Sequence, residues 1–104
     1  MIAIVARQII KKSALAEYDA LVKELVEKSR QEEGNVSYVN VQDREDERIR
    51  IFLELWKDQD AIDIHHATPM MATIAALREK YDLHMHAERY ISEDLGTDGK
   101  FIRK

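Results

Sequence analysis

Nine residues in the middle of the chain, IRIFLELWK at 49–57, are apolar on both sides of a strand. Side chains alternate along a strand, so Ile49, Ile51, Leu53 and Leu55 take one face while Phe52 and Trp56 take the other. A sheet covered by helices on a single side alternates apolar with polar residues instead. The start of the chain repeats the feature, with Ile2, Ile4 and Ile10 on one face and Ala3, Val5 and Ile9 on the other. Both faces of such a sheet need a cover, and 104 residues supply one modest core. A second copy of the sheet packed face to face is the economical cover, so a homodimer is expected.

The hydrophobic period switches repeatedly along the chain. Residues 2–10 (IAIVARQII) read as a strand. Ser13 is placed to cap a helix in which Leu15, Tyr18, Leu21, Val22, Leu25 and Val26 recur at helical spacing. Gly34 stands where a helix C-terminal glycine belongs. Residues 36–42 and 49–57 are the second and third strands, joined by the charged turn 43–48. Asp58 caps a short helix whose inward residues are Ala61, Ile62, Ile64 and His65. Thr68 then caps a further helix with Pro69 at its first position. Residues 84–91 close with a fourth strand. The order β-α-β-β-α-β is that of the ferredoxin-like α+β fold: an antiparallel four-stranded sheet with helices on one face. One domain over residues 1–91 is expected, followed by a C-terminal tail, 92–104, carrying Gly96 and Gly99.

Leu, Ile, Val and Phe make up 27 of the 104 residues, above the range of disordered chains. Sixteen basic and twenty acidic residues leave a net charge of −4, without the basic surplus that nucleic-acid binding needs. Zero cysteines exclude disulfides, a thiolate nucleophile and a Cys-based metal centre, and accord with the cytoplasmic location expected here. The longest apolar run, Met1 to Ala6, is too short for a secretory h-region or a membrane span. No phosphate loop, nucleophile elbow, H-E-x-x-H or dinucleotide fingerprint occurs.

The densest chemistry-bearing group is Glu54, Trp56, His65, His66, Thr68 and Pro69. Glu54 shares a strand face with Phe52 and Trp56, and a carboxylate among aromatics is costly to bury unless paired or protonated. Two uses are open for it: a base or hydrogen-bonding group in a pocket with an aromatic wall, or an ion pair with an arginine such as Arg7. Trp56 serves equally as core filling. His65 follows Ile62 by three residues and sits near the apolar side of its helix. His66 follows Asp63 and lies on the wetter side, so His65 is the better candidate for acid–base work. Tyr38 and Asn40 share a face of the second strand and offer hydrogen bonds to a ligand. His84, His86, Glu88 and Tyr90 share a face of the last strand. His-x-His on a strand can bind a metal with Glu88 as a third ligand, but no other His or Cys supports that use, so no metal is expected, and His86 is read as lining a cavity.

Taken together, QEEGN at 31–35, YVNVQD at 38–43, FLELWKDQDAI at 52–62 and HHATPMM at 65–71 resemble the antibiotic-biosynthesis-monooxygenase family, from residue 2 to about 91. The resemblance implies a dimeric α+β barrel. It spans several activities: cofactor-free oxygenases of quinols and anthrones, haem-degrading oxygenases, and the isomerase of the phosphorylated autoinducer-2 signal. In the cofactor-free oxygenases the substrate is deprotonated, its anion passes an electron to O₂, and the radical pair recombines, with no cofactor. By position Trp56 and His65 fall where that family places a recurrent Trp and His, with Glu54 the carboxylate beside them. Three departures stand out. Phe52 replaces the Asn of the anthrone oxygenases, Arg7 stands where haem-degrading relatives carry an Asn, and Met70 replaces the last residue of T-P-H. The stretches QEEGN, VQD and KDQDAI look closest to the isomerase branch, whose phosphorylated substrate calls for a cation such as Arg7 or Arg89. The expectation is therefore a cofactor-free monooxygenase of a quinol-like or phenolic aromatic. Its catalytic residues are His65, Glu54 and Trp56, and its substrate is bound by Tyr38, Asn40, Phe52, Arg7 and His86. The alternatives are an isomerase of a small phosphorylated carbonyl compound and a non-catalytic ligand-binding barrel.

Overall fold

A computed structural model describes residues 1–93. Strand β1 (Ile2–Ile9) leads through a 3₁₀ turn at Lys12–Ala14 into helix α1 (Leu15–Ser29). Strands β2 (Asn35–Gln42) and β3 (Ile49–Trp56) follow, then helices α2 (Gln59–His66) and α3 (Pro69–Tyr81), and strand β4 (Met85–Ile91). The sheet is antiparallel in the order β2-β3-β1-β4, the ferredoxin-like arrangement. From residue 94 onward the expected tail lies outside the described residues.

Register decides which side chains meet. Ile4 lies opposite Glu54 on β3 and Arg89 on β4, and Tyr38 of β2 lies on the other side of Glu54. The face carrying Ile2, Ala6, Tyr38, Phe52 and Trp56 is buried against Tyr18, Val22 and Leu25 of α1, Ala61 and Ile62 of α2, and Ile74 and Leu77 of α3. The opposite face is open: Ile9 is 61% exposed, and Val41 and Leu53 are each 40% exposed. Val5, Val39, Ile49, Ile51 and Leu55 between them are half-buried.

Several polar groups on the inner face are hydrogen-bonded within the chain, although Gln8 Oε1 and Asn35 Oδ1 are buried without a partner. The Tyr18 hydroxyl takes Gln8 Nε2 at 2.6 Å and Asn40 Nδ2 at 3.1 Å. Arg50 pairs with Asp19 and donates to the Glu47 carbonyl at 2.7 Å. Asn35 bridges the irregularity at the start of β2 by donating to the Ser37 carbonyl at 3.1 Å.

Three local expectations are corrected and a fourth is met only in part. Ser13 caps nothing, because the backbone turn from Ala14 N to Lys11 O, 2.8 Å, leads into α1 instead. Thr68 is the N-cap residue of α3 with Pro69 at its first turn, as expected, but its hydroxyl makes no capping bond and donates back to the His65 carbonyl at 2.8 Å. Gly34 does not end α1, which stops at Ser29; a Cβ at residue 34 would overlap that of Ala61, so the glycine admits α2 to the sheet. Ile64 is 65% exposed, since it lies about 100° round the helix from buried His65. Asp58 caps α2 as expected, accepting from Ala61 N at 2.9 Å.

Candidate functional site

Period-2 alternation on β3 places Phe52, Glu54 and Trp56 on the inner face, and antiparallel register sets Tyr38 beside Glu54. Above them α2 lowers His65 into the core at 1% exposure, and α3 contributes Met71 and Arg78. Together with Ile4, Ala6, His66, Met85 and Ala87, these groups other than Trp56 line a cavity of about 140 Å³. Its floor is apolar and aromatic, with polar groups converging from three elements.

Trp56 is fully buried and stands behind the cavity. Its ring packs on His65 with centroids 4.6 Å apart, and its indole Nε1 donates to Glu54 Oε1 at 2.9 Å. Tyr38 closes the aromatic box, 5.3 Å from the His65 ring and 5.6 Å from Phe52. On its other side His65 presents Nδ1 to Glu32 Oε2 at 2.8 Å. His65 Nε2, across the ring, is buried without a partner.

The electrostatics follow from this packing. Burial raises the Glu54 carboxyl to about 7, with the Trp56 N–H and the Arg78 charge pulling the other way. Burial also lowers the His65 pKa, against the pull of Glu32, so the neutral imidazole is favoured. Arg78 is half-buried, forms no ion pair among the described residues, and keeps a buried Nε without a hydrogen-bond partner. A carboxyl near neutrality and an imidazole with an unoccupied nitrogen are groups that can give and take protons, and here they line one small cavity with a guanidinium.

The structure thus brings Glu54, His65, Tyr38 and Phe52 around one cavity, with Trp56 supporting two of them. It does not bring the other expected binding residues there. Asn40 is spent on Tyr18 and lines a different groove with Asp19 and Val22. Arg7 projects from the open sheet face and pairs with Glu88, which also accepts from the Tyr90 hydroxyl, so no Arg7–Glu54 pair exists. His86, opposite Arg7 in register, shares that face and is largely exposed. Arg7 and His86 line another groove with Ile9, Ile49 and His84. Among the described residues no group of three or more His, Cys, Asp or Glu is placed to hold a metal ion, and no helix is long and apolar enough to cross a membrane.

Glu32 and Arg78 escaped the sequence reading. Glu32 sits in the turn after α1, where Glu32 N donates to Ser29 O and Asn35 N donates to Glu32 O. The stretch QEEGN at 31–35 holds it, but its place in the resemblance assigns Glu32 no role. Arg78 lies four residues after Ile74 and seven after Met71, on the inward stripe of α3, and that spacing was its signal.

An antiparallel ferredoxin-like sheet with an acid–base cavity between sheet and helices defines a class of small α+β protein. Residues 1–77 match the antibiotic biosynthesis monooxygenase family, and the chain belongs to it. The structure is similar to a crystal structure of an antibiotic biosynthesis monooxygenase, with a TM-score of 0.82 and 29% identity over 90% of this chain and 100% of that one. A conserved protein of Methanosarcina mazei Go1 gives a TM-score of 0.80 at 29% identity, over 88% and 92% of the two chains. Among curated proteins, an uncharacterized protein of Synechocystis sp. is 34% identical over 60 residues. That match takes in 58% of this chain but 41% of the relative's length.

Proposed function

We propose that the chain is a cofactor-free monooxygenase that oxidises a quinol-like or phenolic aromatic with O₂. The observation that carries this reading is the convergence of Glu54 and His65 on one small, mostly apolar cavity. A cavity of about 150 Å³ holds benzene, so a single ring suits this one. Neutral His65 takes the phenolic proton through Nε2, and Arg78 receives the oxyanion. The electron-rich anion passes one electron to O₂, and the radical pair closes a C–O bond. The proton held by His65 passes to the peroxide. His65 then takes the ring hydrogen from the oxygenated carbon as the O–O bond breaks to leave a carbonyl, and protonated Glu54 turns the departing hydroxide into water. For a hydroquinone the balance is one substrate and one O₂ giving one hydroxyquinone and one water, so the substrate supplies all the electrons.

The isomerase reading gains from Arg78. A phosphorylated carbonyl compound needs a cation in the pocket, and Arg78 provides one where neither Arg7 nor Arg89 lines the cavity. His65 and Glu54 would then move a proton beside the carbonyl.

The apolar open face supports a homodimer in which two sheets pack against each other, because Ile9, Val41 and Leu53 otherwise stay in water.

Oxygen uptake with a panel of hydroquinones, after treatment with a chelator, tests the proposal. Uptake that persists and falls at least tenfold in His65→Ala, about 1.4 kcal/mol of barrier, supports it. Uptake at the uncatalysed rate throughout, with conversion of a phosphorylated hydroxyketone under nitrogen, supports the isomerase instead.

A further inference from the structure

The Glu32–His65 contact has no counterpart among the chain's other histidine contacts. His84 and His86 meet carboxylates at the surface, at 3.2 and 3.6 Å, with most of each imidazole in water. His65 meets Glu32 at 2.8 Å with 1% of its side chain exposed and 19% of that of Glu32. Glu32 is held on both sides by backbone hydrogen bonds, from its own N–H to Ser29 O and to its carbonyl from Asn35 N, each between 3.0 and 3.1 Å. The turn therefore fixes where the carboxylate stands, and Thr68 Oγ1 on the His65 carbonyl helps hold the backbone of the imidazole at 2.8 Å.

A carboxylate only accepts hydrogen bonds, so the imidazole nitrogen facing it carries the proton. A neutral imidazole has one N–H. With it committed to Nδ1, Nε2 is left as a lone pair, and Nε2 is the buried nitrogen that no protein group satisfies.

We propose that Glu32 is a positioning residue: it locks His65 in the Nδ1–H tautomer and turns Nε2 into the proton acceptor of the Glu54 cavity. The inference rests on the reading of His65 as a base, and extends it to a residue that does not line the cavity. Glu32 also lines a surface crevice of about 220 Å³ with Lys28, Ser29, Thr68, Pro69 and Met70. The pair thus stands between that crevice and the inner cavity. Tyr38, with its ring centroid 5.3 Å from that of His65, His66, at 5.7 Å, and Glu54 and Arg78, which line the same cavity, are the other titratable or charged groups around the imidazole.

Nitrogen-15 NMR of histidine-labelled protein reads the tautomer directly, without substrate. The native protein at pH 8 is expected to show His65 with a protonated Nδ1 and an unprotonated Nε2. Glu32→Leu, which cannot accept, is expected to shift His65 to the Nε2–H form or a mixture of the two. Glu32→Gln keeps an acceptor oxygen but loses the charge. It is expected to retain the native tautomer while lowering the pH at which His65 titrates, and it covers the case in which Glu32→Leu fails to fold. A native Nε2–H tautomer, or a His65 titration unchanged in Glu32→Gln, overturns the proposal. Because neither readout needs turnover, the absence of oxygenase activity leaves the tautomer result standing on its own.

Discussion

Trp56 donates its indole N–H to Glu54 two residues earlier on the same strand, at 2.9 Å, and packs its ring at a tilt against His65. One buried side chain therefore supports both halves of the acid–base pair. The hydrogen bond favours ionised Glu54 and works against the burial that raises its pKa. Trp56→Phe keeps the ring and removes the donor. The Glu54 pKa is expected to rise above its present value by roughly one unit, the worth of a hydrogen bond to a charged group. In turnover, the alkaline limb of the pH profile, set by protonated Glu54, should move upward by the same amount. A pH–rate profile of the two proteins checks it.

Glu54 also makes stability depend on pH. Its pKa is raised from the ordinary 4.5 to about 7, so between those values the folded chain keeps a proton that the unfolded chain has released. Its contribution falls as pH rises through that window, and above about pH 7 the full cost, about 3 kcal/mol as an upper bound, is present. His65, with a lowered pKa, acts in the opposite sense: the unfolded chain takes up the proton first as pH falls below 6.5, so the fold loses stability on the acid side. Glu54→Gln is therefore expected to raise the urea midpoint at pH 8 and to change it little at pH 4.5. The oxygenase activity proposed above should fall in the same variant, as for a site whose function costs stability. Denaturation curves at the two pH values decide the matter.

Gly34 and Ala61 are coupled by contact between the start of β2 and α2. Adding a methyl at residue 34 forces α2 away from the strand, at about 1–3 kcal/mol for an overpacked site. Gly34→Ala should be destabilised by that amount, and Ala61→Gly in the same chain should recover a good part of the loss. A double-mutant cycle measured by urea denaturation tests the coupling.

The open face offers a separate test of assembly. Leu53 projects from β3 away from the helices, next to Val5 of β1 and Val39 of β2 in the register. Leu53→Lys adds a charge there without disturbing the inner core. Sedimentation is expected to show the native chain as a dimer and the variant as a monomer with an unchanged circular dichroism spectrum. A native monomer at micromolar concentration contradicts the face-to-face dimer.

Much of the architecture was legible because periodicity survives wherever a face is buried. The four strands, the pairing of Glu54 with Phe52 and Trp56 on one face, and the inward position of His65 all follow from periods of 2 and 3.6. Strand parity alone could not say which residues of β1 share the face of Glu54. Register supplies that step: Ile4 opposes Glu54 and Arg7 opposes Ile51, so Arg7 belongs to the far side. The hydroxyls of Ser13 and Thr68, neither of which makes a capping bond, show a different limit, since a hydroxyl competes with backbone turns and with neighbouring carbonyls for the same hydrogen bonds. Glu32 lies in a turn, where no period exists, and only the folded chain brings it to a histidine 33 residues away.

Acid–base chemistry at this site requires Glu54 to be a carboxylic acid near neutral pH inside the cavity. Carbon-13 NMR of the glutamate side-chain carboxyls, with Glu54 assigned by its loss in Glu54→Gln, measures that property directly. A midpoint for Glu54 at about 7 is the result expected. Titration near 4.3, as for a glutamate in water, contradicts the acid–base centre.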